Sequence, residues 1–170
     1  MEEAECYLSL GSNLGDRLGY IRKAADSISK ISGVTIARLS SVYETDPFGV
    51  TNQPRFLNTA VGLTTSLPPS ELLGALKATE TSLGRVRRER WREREIDIDI
   101  VFYDQMLLES DELTIPHPGA HLRRFVLLPI AEIAPEFIHP VFNKSVRQLL
   151  DACGDRSEIR LYRQAEVTAS

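Results

Sequence analysis

Two aspartates, Asp97 and Asp99, stand one residue apart in the run Arg94-Glu95-Ile96-Asp97-Ile98-Asp99-Ile100-Val101-Phe102. The β-branched residues and the period of two predict a β-strand. Side chains alternate across a strand, so both carboxylates share one face, with Cα atoms roughly 6.5 Å apart at about 3.3 Å rise per residue. Ile96, Ile98 and Ile100 fill the opposite face. Two ionised carboxylates side by side raise each other's pKa. A divalent cation removes that conflict, and hard oxygen ligands suit Mg²⁺. Taken alone, a strand with one solvated face explains the pair equally well.

The preceding segment shifts the balance. Residues 84–94 hold six Arg against two Glu, in a chain whose net charge is −4. They contain no Leu or Ile and no alternation, which predicts a loop. Guanidinium groups are planar forks that match phosphate oxygens, and Trp91 offers a flat face to a base or heterocycle. Arginines beside a metal-binding acidic pair are the parts that phosphoryl transfer needs. The competing readings are a solvated basic loop and a nucleic-acid patch. The overall charge and a pI near 5.5 weigh against the second.

Several elements must position these groups. Residues 6–10 read as a first strand, ended by a turn at Gly11-Ser12-Asn13. Leu18, Ile21, Ala24, Ala25, Ile28 and Ile31 follow helical spacing over 16–31, with Asp16 as N-cap and Gly33 as the stop. A second strand is predicted over 34–43, a loop over 46–55 and a third strand over 56–65. Pro68-Pro69-Ser70 opens a helix that runs to about Leu83. After the aspartate strand come a short strand at 106–108, a helix at 125–133 stopped by Pro135, and a helix at 145–153. The polar tail after Gly154 is expected to fray or to add one edge segment. The β-α-β-β-α-β order of the first hundred residues predicts a ferredoxin-like core. Gly11-Ser12-Asn13-Leu14-Gly15 lacks the Lys-Ser/Thr ending of a Walker loop and the dinucleotide spacing. It is read as structural, a strand-to-helix turn.

At 170 residues one domain over 1–170 is the default. Apolar content of 42% and charged content of 26% are ordinary for a soluble protein. Cys6 and Cys153 show no metal-ligand spacing, and Cys6 is read as a buried thiol in a core strand. No apolar run approaches a membrane span, and Met1-Glu2-Glu3-Ala4-Glu5 is the opposite of a basic leader start. A cytoplasmic location is therefore expected.

Several segments together resemble a known family. They are Leu8-Ser9-Leu10-Gly11-Ser12-Asn13-Leu14-Gly15-Asp16-Arg17, then Ser41-Val42-Tyr43-Glu44-Thr45-Asp46-Pro47-Phe48-Gly49, then Gln53-Pro54-Arg55-Phe56-Leu57-Asn58. Gly84-Arg85, the aspartate strand and Ile115-Pro116-His117-Pro118 complete the set. In that order they resemble 6-hydroxymethyl-7,8-dihydropterin pyrophosphokinases, from Tyr7 to about Leu150. The resemblance implies an α+β fold, the ferredoxin-like βαββαβ core elaborated into a three-layer helix–sheet–helix sandwich. It implies diphosphate transfer from ATP to the hydroxymethyl oxygen of the pterin in folate biosynthesis, with AMP released and two Mg²⁺ ions on Asp97 and Asp99. By the same resemblance Arg85 and Arg94 contact the phosphates, with His117 and Arg123, and Glu80, Trp91, Ile100 and Thr114 lie near the nucleotide. Phe56 and Phe125 sandwich the pterin, Asn58 reads its edge, and Thr45 and Phe48 supply backbone contacts, with Trp91 and Asp97 also beside it. The Gly11 segment helps shape the pocket floor.

Without the resemblance, Phe56 and Phe125 read as ordinary core and His117 as a structural histidine fixed between prolines. His121 and His139 match no role and are assigned to the surface. Three positions depart from the family pattern: Arg92 where a small residue is usual, Asp46 where Pro is frequent, and Glu112 where some relatives have Arg. No general base is evident, so positioning and electrostatics carry the expected catalysis, with the two loops closing over the substrates. The rival class is a nucleic-acid-binding module on a ferredoxin-like sheet, in which Asp97 and Asp99 would repel phosphates. Another pterin enzyme, such as an aldolase, would need a second domain. No nucleic-acid or membrane partner is expected, and the sequence names no protein partner.

Overall fold

The computed structural model describes residues 2–47, 52–86 and 93–165. Phe48, Trp91 and Arg92 lie outside the described residues. The elements run β1 (Ala4–Ser12), α1 (Arg17–Ser29), β2 (Val34–Leu39), β3 (Val42–Thr45), β4 (Phe56–Thr65), α2 (Pro69–Ser82) and β5 (Asp97–Tyr103). They continue with β6 (Leu108–Glu109), β7 (Thr114–Ile115), a 3₁₀ turn (Ala120–Leu122), α3 (Arg124–Ile133), α4 (Val146–Ala152) and β8 (Ile159–Arg163). The main sheet is ordered β5-β1-β4-β3-β8, with β2 also paired to β4. Neighbouring strands are antiparallel throughout. If β2 and β3 count as one interrupted strand, this is the ferredoxin-like βαββαβ topology.

Each sheet face is covered by helices, which makes three layers. On one face Leu8, Leu10, Ile98 and Ile100 pack with Ile21, Ala24 and Ile28 of α1 and Leu72 and Leu76 of α2. On the other, Tyr7, Ala60, Val101 and Phe102 pack with Val126, Leu127 and Ile130 of α3 and Val146 and Leu149 of α4. The Asp16 carboxylate caps α1 by accepting from Gly19 N–H at 3.0 Å. Pro69 opens α2, where its missing N–H costs nothing. Ser145 and Gln148 form a reciprocal capping box at α4. Cys6 is a buried free thiol, as its strand position predicts.

The sequence expectations are corrected in four places. β1 continues through Gly11 and Ser12, so Gly11 is a strand residue and the turn falls at Gly15, whose φ is +69°. The strand predicted over 34–43 breaks at Ser40-Ser41. There the Ser40 hydroxyl accepts from Ala60 N–H at 2.8 Å and Ser41 N–H turns away to Glu132 at 2.8 Å. The strand predicted at 106–108 is replaced by the small β6–β7 pair. The tail forms β8 on the edge of β3, the second of its two expected outcomes. His139 is buried at 2% exposure, not on the surface. Its Nδ1 accepts from Val141 and Phe142 N–H, and its ring meets Phe102 edge-on.

Candidate active site

β5 presents Asp97 and Asp99 on one sheet face, opposite Gly11 and Ser9 of β1. Both carboxylates line a cavity of about 360 Å³. They also line a second, adjoining cavity of about 390 Å³, with Arg85, His117 and Pro118 common to the two. The acidic pair therefore stands at the seam between two hollows. Burial, then the neighbouring Asp97 carboxylate and a hydrogen bond shared with it, raise the Asp99 carboxyl well above the ordinary carboxylate range. Arg85 Nη1 reaches Asp97 Oδ1 at 3.1 Å and Glu80 Oε2 at 2.6 Å. The same Glu80 oxygen accepts Ile98 N–H at 2.7 Å, so the buried Glu80 fixes both the arginine and the strand. Burial raises the Glu80 carboxyl, against the opposing pull of Ile98 N–H and Arg85.

The first cavity is walled by Thr45, Phe56, Asn58 and Phe125, with Arg94, His117 and Arg123 beside the carboxylates. Both phenylalanines are only half-buried, so they are wall residues rather than closed core. Asn58 is buried, and its Nδ2 donates to Thr45 Oγ1 at 2.6 Å. A Cβ added to Gly11 would fall 2.8 Å from Asn58 Oδ1 and 3.5 Å from the Phe56 ring. Glycine in the strand thus makes room for the amide. The signal was present in the sequence, since a strand-interior glycine marks a close approach.

The second cavity is lined by Glu80, Ile100 and Thr114, together with Leu73, Lys77 and Leu113. Glu112, the departure from the family pattern, lines it as well. Leu73, Ile98, Ile100 and Leu113 give this hollow an apolar side, and Lys77, Glu80, Glu112 and Thr114 supply polar groups next to the carboxylates.

Two anchors escaped the sequence reading. Val101 has no partner in the β1–β5 register, where Tyr7 pairs with Phe102 and Leu8 with Ile100. It is the extra residue of a bulge, and its carbonyl accepts His117 N–H at 3.0 Å. His117 Nδ1 accepts Gly119 N–H at 3.2 Å, which leaves Nε2 to carry the proton of the neutral ring. Burial, then the Arg123 guanidinium, hold this imidazole down to about 4. Asn13 is buried and ties three segments together. Its Nδ2 donates to Gln53 Oε1 and to the Pro54 carbonyl, both at 2.9 Å, and its Oδ1 accepts Arg94 N–H at 2.8 Å. Its place in the sequence predicts only a turn and, by the family resemblance, a share of the pocket floor.

Of the expected site residues, Thr45, Phe56, Asn58, Arg85, Arg94, Asp97, Asp99, His117, Arg123 and Phe125 gather on the first cavity. Glu80, Ile100 and Thr114 gather on the second. The expected pterin contact Phe48 and the nucleotide contact Trp91 lie outside the described residues.

A family model described as 7,8-dihydro-6-hydroxymethylpterin-pyrophosphokinase matches residues 7–135. A Bacillus subtilis 2-amino-4-hydroxy-6-hydroxymethyldihydropteridine pyrophosphokinase is 45% identical over 130 residues, covering 76% of this chain and 78% of the relative. An Aquifex aeolicus protein of the same name is 41% identical, covering 85% of this chain and 89% of the relative. Among solved structures, an HPPK-DHPS in complex with substrates superposes with TM-score 0.70 at 16% identity, over 89% of this chain. A Plasmodium falciparum HPPK-DHPS gives 0.72, also at 16% identity and 89% of this chain. This chain spans 43% of each of those two longer chains, and the likeness to them is one of fold.

Proposed function

The chain belongs to the 7,8-dihydro-6-hydroxymethylpterin-pyrophosphokinase family, and from that premise we propose that the two adjoining cavities hold its two substrates. The protein is a pyrophosphokinase. It transfers a diphosphate group from ATP to the hydroxymethyl oxygen of 6-hydroxymethyl-7,8-dihydropterin, the step of folate biosynthesis for which its relatives are named. The observation that carries the two-cavity reading is Asp97 and Asp99 at their seam, with Arg85 and His117 also common to both.

The pterin sits in the first cavity. Phe56 and Phe125 cover its ring, and Asn58, held by Thr45, matches its edge of donors and acceptors. The nucleotide occupies the second, its base and ribose beside Ile100, Thr114 and Glu80. Its phosphates reach the seam, where Arg85, Arg94, Arg123 and the Nε2–H of His117 balance charge on the phosphate oxygens. The hydroxymethyl oxygen attacks the β-phosphorus and AMP leaves. No described side chain stands out as a general base, so alignment of the two substrates carries the rate.

The donor set fits Mg²⁺. Among the described residues no cluster of three or more metal-ligating side chains exists, and the two carboxylates offer only hard oxygens. Mg²⁺ is commonly held by one or two carboxylates together with substrate phosphates. Asp97 and Asp99 would hold the ions, two in our reading, and these would neutralise charge on the phosphate oxygens. We further propose that residues 1–170 act as a single pyrophosphokinase domain in the cytoplasm, with these small molecules as its ligands. No described helix is long and apolar enough to cross a membrane.

Asn58→Ala tests the assignment of the cavities. Leaving the buried partners unpaired should weaken pterin binding by about 1–3 kcal/mol, with nucleotide affinity little changed. Calorimetry in which pterin affinity stays at the wild-type value, or in which ATP affinity falls instead, rejects it.

A further inference from the structure

The family match ends at residue 135, yet a later segment is bonded to two walls of the first cavity. Asp155 Oδ2 accepts the N–H of Arg124 at 3.0 Å, at the start of α3. Arg124 lies between Arg123 and Phe125, which both line the cavity. The other Asp155 oxygen accepts Ser157 N–H at 2.9 Å, which fixes the carboxylate. These hydrogen bonds outweigh burial and lower the Asp155 carboxyl. One residue further on, Glu158 exchanges two bonds with Asp46: its carbonyl accepts Asp46 N–H at 3.3 Å, and its N–H donates to Asp46 Oδ2 at 3.1 Å. Asp46 lines the same cavity. The chain then pairs along β3, with Ile159 opposite Thr45 and Arg160 opposite Glu44. Thr45 is the residue that holds Asn58.

Charges decorate this crossing. Arg55 lies 3.4 Å from Asp46 and 3.6 Å from Glu158, and Arg160 lies 3.1 Å from Glu158. These groups are largely exposed, and such pairs contribute little. The backbone pairing and the Asp155 cap hold the segment in place.

We propose that residues 155–163 are a strap that sets the spacing between the α3 wall and the Thr45–Asn58 wall of the pterin cavity, with Asp155 and Asp46 as its positioning residues. Without the strap, β3 is held from one side only, and the first amide of α3 loses its acceptor. The second cavity is lined by α2, β5, Arg85 and residues 110–118, and the strap's hydrogen bonds, ion pairs and strand pairing described above go to Arg124, Asp46, Arg55 and β3 instead. The effect therefore falls on the pterin and spares ATP. This inference rests on the pterin reading of the first cavity.

The test compares three variants of the full protein: a chain stopped after Gly154, Asp155→Ala, and Asp155→Asn, which keeps an acceptor oxygen. The stopped chain should raise the pterin KM about tenfold and Asp155→Ala about threefold, the scale of one or two lost hydrogen bonds. The KM for ATP should stay within about twofold of wild type, and Asp155→Asn should recover most of the loss. Hydrogen exchange should quicken at the Asp46 and Arg124 amides and stay unchanged at Ile98. Equal rises in both KM values, or no rise in either, overturn the strap. If the stopped chain does not melt cooperatively, the Asp155 pair decides alone. If the unaltered protein forms no AMP from the pterin, the cavity reading fails instead. Exchange at Asp46 and Arg124 still decides the strap in that case, and unchanged exchange there rejects it.

Discussion

Asp99 is the residue in which the physics of the site is most concentrated. Its carboxyl lies well above the ordinary range because it is buried beside Asp97. For an acid raised in the folded state, the native protein binds more protons than the unfolded chain between the two pKa values. The metal-free protein should therefore lose stability as pH rises through that window, and Asp99→Asn should flatten the loss. Melting curves from about pH 4 upward, with and without Mg²⁺, check this; a flat wild-type profile contradicts it. Asp97→Ala and Asp99→Ala should each abolish turnover and leave the apo protein at least as stable. The histidines act in the opposite direction. His117 and His139 are held down to about 4 from 6.5, mainly by burial. The unfolded chain then binds more protons between those values, so stability is complete above about 6.5 and falls as pH drops toward 4. His139→Asn keeps an acceptor for Val141 and Phe142 N–H but cannot titrate. Its melting temperature should fall less steeply over that acid range than the wild type's.

At the scale of elements, the site is held by short connections between strands and loops. Asn13→Ala removes side-chain bonds to Gln53, Pro54 and Arg94 at once. It should lower kcat/KM for both substrates, whereas Gly11→Ala, which pushes on Asn58, should raise the pterin KM alone. Steady-state kinetics with each substrate varied in turn separates the two, and matching effects from both changes contradict the assignment. Arg94 already lines the cavity and its N–H is pinned by Asn13. The aspartate strand, α1 with its Asp16 cap, and β4 were legible because periodicity and capping are local. The break at Ser40-Ser41 and the bulge at Val101 were not. Each depends on a partner far along the chain, Glu132 in one case and His117 in the other. Asp97, Asp99, Arg85 and Arg94 could be read by chemical type, but Asn58 and the two phenylalanines needed the family resemblance, since a buried amide or a half-buried ring looks the same in any core.

Across the whole molecule, one sheet divides the labour. The face covered by α1 and α2 carries the larger core and opens only at the α2–β5 edge into the second cavity, while the opposite face opens beyond α3 into the first. β5, at one edge of the sheet, carries the carboxylates. β8, at the other edge, ties back to the cavity wall through Asp46 and Asp155. His139 could not be placed from sequence because its burial comes from packing between Phe102 and Phe142, which only the assembled α3–α4 layer creates. The central claim is that this arrangement transfers a diphosphate across the Asp97–Asp99 seam. The most direct measurement is ³¹P NMR of a reaction containing ATP, the pterin alcohol and Mg²⁺, repeated with Asp97→Ala and Asp99→Ala. The account predicts AMP and pterin diphosphate in equal amounts, dependent on Mg²⁺ and on the pterin, and no product from either variant. Formation of ADP with a monophosphorylated pterin, or wild-type turnover by either variant, would contradict it.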